Sequence, residues 1–107
     1  MRDVRAEIDE AVKSNAVIVF MKGTPAFPQC GFSATVADIF RRLEVPFSGV
    51  NVLADAEVRQ GIKEYTNWPT IPQIFIGGEF VGGCDIATQM YESGELKQKV
   101  DAVLSRS

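Results

Sequence analysis

Apolar positions along this chain recur with two different periods. Val4, Ile8 and Val12 stand at helical spacing among charged residues, and Asp3 just ahead can cap them, so the pattern predicts a first helix ending near Ser14-Asn15. Ala16-Val17-Ile18-Val19-Phe20-Met21 is short, continuous and β-branched, which predicts a buried strand. Val36, Ile39, Phe40 and Leu43 return to helical spacing and predict a helix of about 31–43. Glu44-Val45-Pro46 stops it, because a residue before proline is driven out of the helical region. Phe47 to Val52 reads as a short strand. A strand–helix–strand order predicts a parallel pair with a right-handed crossover. Asp55 caps a further helix through Val58, Ile62 and Tyr65, which Asn67-Trp68-Pro69 ends. Gln73–Ile76 and Glu79–Val81 flank Gly77-Gly78, the signature of a two-residue hairpin turn. Cys84-Asp85 opens a helix that Gly94 closes, and Leu96, Val100, Val103 and Leu104 mark a last one. The expectation is an α/β chain: one mixed four-stranded sheet with helices on both faces.

Composition narrows what such a chain can do. Its 107 residues suit a single domain spanning 1–107. A net charge of -3 argues against nucleic acid as a partner. No apolar run approaches the ~20 residues that cross a bilayer, so no membrane partner is expected. There is no histidine, which removes every Cys-His or Ser-His catalytic pair and every His-containing metal site. Two cysteines fifty-four positions apart are no secreted disulfide framework. They fit a reducing compartment, with the cytoplasm expected and the mitochondrial matrix, in a processed form, as the alternative.

The chemistry gathers between the first strand and its helix, at Lys22-Gly23-Thr24-Pro25-Ala26-Phe27-Pro28-Gln29-Cys30-Gly31-Phe32-Ser33. Cys30 falls at a helix start, where unpaired N–H groups and the macrodipole favour a thiolate. Cysteines so placed have pKa values of roughly 3.5–7.5. Lys22 adds a positive charge if the loop folds back, and Pro25 and Pro28 restrict the loop toward that. Ser33 occupies the position where a dithiol oxidoreductase carries its second cysteine, and a hydroxyl cannot perform that exchange. It reads otherwise as plain helix surface.

Four motifs, in order, make the pattern specific: Lys22-Gly23-Thr24-Pro25, Pro28-x-Cys30-Gly31-Phe32-Ser33, Trp68-Pro69-Thr70-Ile71-Pro72-Gln73 and Gly82-Gly83-Cys84-Asp85. Together they resemble the monothiol glutaredoxins of the Cys-Gly-Phe-Ser class over nearly the whole chain. The resemblance implies a thioredoxin fold and a cis bond at Pro72, where local sequence alone favours trans. It implies a glutathione site made by Lys22, Arg59, Ile71, Cys84 and Asp85. The chemistry of the ligand agrees: cations at Lys22 and Arg59 suit its glycine carboxylate, while helix-start N–H groups and Asp85 suit its γ-glutamyl end. Taken alone, Asp85 is also a helix cap and Arg59 a solvated helix residue. Trp68 reads as packing and stays outside the expected site.

A two-iron cluster normally takes four thiolate ligands. Two chains supplying Cys30, with two glutathiones, meet that number, as does a rival set of Cys30 and Cys84 from each chain. The resemblance implies the former: a [2Fe-2S] carrier with Cys30 as protein ligand, monomeric when empty and a homodimer when loaded. Apo iron–sulfur proteins and a BolA-like protein are then the implied partners. The alternative is a glutathione-dependent thiol–disulfide oxidoreductase using Cys30 as its sole nucleophile.

Overall fold

The structure, a computed structural model, describes residues 1–106. Its elements run α1 (Val4–Ser14), β1 (Val17–Met21), α2 (Gly31–Arg42), β2 (Ser48–Asn51), α3 (Ala56–Thr66), β3 (Gln73–Ile76), β4 (Glu79–Gly82), α4 (Cys84–Ser93) and α5 (Glu95–Leu104). The four strands form one sheet in the order β2-β1-β3-β4. β1 and β2 are parallel, β1 and β3 antiparallel, and β3 and β4 an antiparallel hairpin turning at Gly77–Gly78. This is the mixed sheet that the periodicity predicts, in the layout of the thioredoxin fold.

Alternation along the central strands assigns each helix its face. Val17, Val19 and Met21 of β1, with Ile74 and Ile76 of β3, join the core beneath α2, α4 and α5. Ile18, Phe20 and Phe75 point the other way, into the core shared with α1 and α3. β1 is buried at every position, which is why its sequence is an unbroken apolar run rather than an alternating one. Phe20 meets Phe75 edge-to-face, with ring centroids 5.8 Å apart.

Several element boundaries differ from the sequence expectation. β1 begins at Val17 rather than Ala16, and α2 ends at Arg42. Glu44, at φ 56°, turns the chain just after α2, so the break falls ahead of Pro46. Phe47 precedes β2 and packs on Phe40, with centroids 5.3 Å apart. Val52–Ala54 is a 3₁₀ turn, not strand, because the Asn51 side chain accepts the Leu53 N–H at 3.0 Å and caps it.

Candidate active site

The loop after β1 folds back on itself. Thr24 and Phe27 exchange backbone hydrogen bonds of 3.2 and 3.1 Å, and the Gln29 N–H donates to the Lys22 carbonyl at 2.9 Å. Gly23, at φ 91°, makes this possible: a Cβ there would lie 2.5 Å from the Phe27 carbonyl oxygen. Its N–H donates to Asn51 Oδ1 at 2.9 Å, which ties the loop to the end of β2. The two ends of the loop are thereby brought together, and Lys22 stands beside Cys30.

Cys30 is the N-cap residue of α2, with extended backbone angles. Its carbonyl accepts the first helical hydrogen bond, from the Ala34 N–H at 2.9 Å. The sulfur closes no capping hydrogen bond of its own, yet it lies among the N–H groups of the helix start. The Ser33 N–H holds the Cys30 thiol below its ordinary pKa, helped by the Phe32 N–H, the Lys22 charge and the Ser33 hydroxyl, against the opposing effect of burial.

Cys30 opens into a cavity of about 360 Å³. Three cations line it, Lys22, Arg59 and Lys63, with no carboxylate among its walls. Among the described residues none of the three forms an ion pair, whereas Arg2, Lys13, Arg42, Lys97 and Lys99 all do. Phe32, Thr70 and Ile71 are common to this cavity and to a second, of about 190 Å³, that also holds Trp68, Cys84 and Asp85. The two form one groove, cationic at the Cys30 end and carrying Asp85 at the other.

Ile71–Pro72, the strip between them, is a cis peptide. Among the described residues neither backbone group of Ile71 pairs with another backbone group. Gly83 lets the start of α4 approach this strip, since a Cβ there would lie 3.1 Å from the Pro72 carbonyl oxygen. All five residues expected to hold glutathione thus line the groove, together with Cys30. Both cysteines are free thiols. Among the described residues no three of His, Cys, Asp and Glu gather closely enough to hold a metal ion. A broader depression of about 700 Å³, bordered by Asp9, Tyr65 and Phe80, lies elsewhere. It contains no nucleophilic thiol, and its Tyr65 hydroxyl is engaged by Asp9 at 2.7 Å, so the chemistry rather than the larger volume locates the site.

The family profile described as Glutaredoxin matches residues 17–81, more than half of the chain. The chain belongs to the glutaredoxin family. A Synechocystis protein named an uncharacterized monothiol glutaredoxin is 54% identical over 103 residues, covering 96% of each chain. The chloroplastic monothiol glutaredoxin-S7 of Oryza sativa is 53% identical over 102 residues, which are 95% of this chain and 61% of that longer one. The solution structure of reduced poplar apo GrxS14 matches with a TM-score of 0.84 at 50% identity, over 95% of this chain and 94% of that one.

Four residues of this glutaredoxin take parts that the sequence reading does not assign them. Ser33 is not helix surface: it is 0% exposed, and its Oγ accepts the Lys22 N–H at 3.1 Å. Trp68, read as packing, lines the groove, as does Phe32, which is 63% exposed. Lys63 joins Lys22 and Arg59 at the thiol. It stands four positions after Arg59 on α3, a helical spacing that could have found it.

Proposed function

We propose that this glutaredoxin carries a [2Fe-2S] cluster as cargo, taking it from an assembly system and passing it to apo iron–sulfur proteins. The cluster is held between two chains, each contributing Cys30 and one bound glutathione. Lys22 and Arg59 hold the glycine carboxylate of glutathione, the Ile71 backbone its peptide groups, and the Cys84 and Asp85 end of the groove its γ-glutamyl zwitterion. The observation that carries this reading is a thiol of lowered pKa in a cavity with three unpaired cations and no second cysteine on its own helix. Such a sulfur is a good ligand to iron, and its charged surroundings suit an anionic thiol co-ligand. Delivery is ligand exchange: acceptor thiolates replace Cys30 and glutathione on iron, and the acceptor thiols release their protons. A BolA-like protein is a further partner in this scheme. The work belongs to a compartment where thiols stay reduced, cytoplasm or matrix.

Anaerobic reconstitution with ferrous iron, sulfide and glutathione tests the proposal through visible absorbance and native mass. The expected product is a coloured dimer that bleaches and dissociates when glutathione is removed. Folded, reduced protein that stays colourless with glutathione present overturns the reading. Turnover of a glutathionylated peptide as fast as by a dithiol glutaredoxin moves the assignment to a thiol–disulfide oxidoreductase.

A further inference from the structure

Gln73 is a polar side chain inside an apolar strand. It is 0% exposed, between Pro72 and the core residues Ile74–Ile76. An amide is stable there only with its hydrogen-bonding groups engaged. Its Nε2 donates to the Trp68 carbonyl at 3.0 Å and to the Thr70 carbonyl at 3.1 Å. Its Oε1 accepts from the Thr66 hydroxyl at 2.8 Å. The two carbonyls face only a donor, so the orientation of the amide is fixed. The Thr66 Oγ in turn accepts the Trp68 N–H at 3.2 Å.

These bonds converge on Trp68-Pro69-Thr70, which belongs to no helix or strand. Pro69 has no N–H, and the Trp68 N–H bond to the Lys63 carbonyl, 3.2 Å, joins it to the end of α3. Gln73 therefore gathers the Trp68 and Thr70 carbonyls on either side of Pro69. That segment is the wall of the groove: Trp68 borders the Asp85 end, Pro69 the Cys30 end, and Thr70 both.

We infer that Gln73, braced by Thr66, is the positioning residue of the ligand groove, holding the Trp68–Thr70 carbonyls away from it so that the adjoining Ile71 backbone is left to the ligand. This rests on the reading that glutathione occupies the groove. Gln73 is not among the groups that lower the Cys30 pKa, so its removal separates ligand binding from thiolate formation.

Gln73→Met keeps the size and loses the bonds, and Thr66→Val removes the brace together with the Thr66 Oγ contacts to the Ile62 carbonyl and the Trp68 N–H. Glutathione titration by calorimetry and by the emission of Trp68, the sole tryptophan, reads the wall, while thiolate absorbance reads Cys30. Gln73→Met is expected to weaken glutathione roughly five- to tenfold, to change Trp68 emission, and to leave the Cys30 pKa unmoved. Thr66→Val follows in the same direction by a smaller factor, and it carries the test if Gln73→Met fails to fold. Unchanged affinity in the folded variant overturns the inference alone, as does a Cys30 pKa that shifts together with affinity. A wild-type protein that does not bind glutathione overturns the site reading with it.

Discussion

The Cys30 sulfur sits among N–H groups that would otherwise lack partners, and these stabilise its anion more than its acid. The consequence for stability has a definite sign. An unfolded cysteine titrates at about 8.5, and the folded value lies below that. Between the two the unfolded chain binds more protons, so stability rises with pH. The contribution is fully present above about 8.5 and is lost as pH falls through the folded value. Denaturant titrations of the wild type and Cys30→Ser across this window isolate it, because Cys84 is common to both. The stability difference is expected to grow in favour of the wild type as pH rises and then level off. A flat difference contradicts the ionised sulfur. Cys30 and Lys22 were legible in the sequence because helix starts and lysines have fixed chemistry. Ser33 and Gln73 were not, since only packing reveals that a polar side chain is buried and whose hydrogen bond it takes.

The groove is a meeting of element ends: the start of α2, the start of α4 and the strip before β3. Gly83 is where α4 comes closest to that strip. A Cβ there would lie 3.1 Å from the Pro72 carbonyl oxygen and 3.6 Å from Trp68 Nε1, so Gly83→Ala must push backbone aside. Such overpacking costs about 1–3 kcal/mol, and the expected variant loses that stability in denaturant and binds glutathione more weakly. Gly31→Ala is the control. A Cβ at Gly31 meets nothing within 4 Å, in the first turn of α2, so this change is expected to be neutral or to stabilise by up to about 1 kcal/mol. Equal effects from the two would show that the approach of α4 is not tight. The same elements mark how far periodicity reads a fold. β1 and β3 sit against helices on both faces, so their apolar runs were unambiguous. β2 is an edge strand with no fully buried position, and its limits follow from Asn51 and Phe47, which no periodicity encodes. The cis peptide at Pro72 came from the motif resemblance, because local sequence favours trans.

The molecule as a whole is acidic, with a net charge of -3, yet the wall around its thiol carries three cations and no carboxylate. Those two fields act oppositely on an anionic ligand, and ionic strength separates them. If the overall charge governed binding, glutathione would be repelled and added salt would strengthen its hold. If Lys22, Arg59 and Lys63 govern, salt weakens it, since the screening length falls from about 10 Å at 0.1 M to about 3 Å at 1 M. The local field is expected to win, because the cations line the Cys30 cavity, whose walls carry no carboxylate. Affinity should then drop as salt rises. Lys63→Gln should weaken binding roughly two- to fivefold at low salt, yet have little effect at high salt, where its charge is already screened. Calorimetric titration of both proteins over that range reads the slope directly. An affinity that climbs with salt, or a Lys63→Gln slope parallel to the wild type, would remove Lys63 from the site and return the protein's field to its acidic exterior.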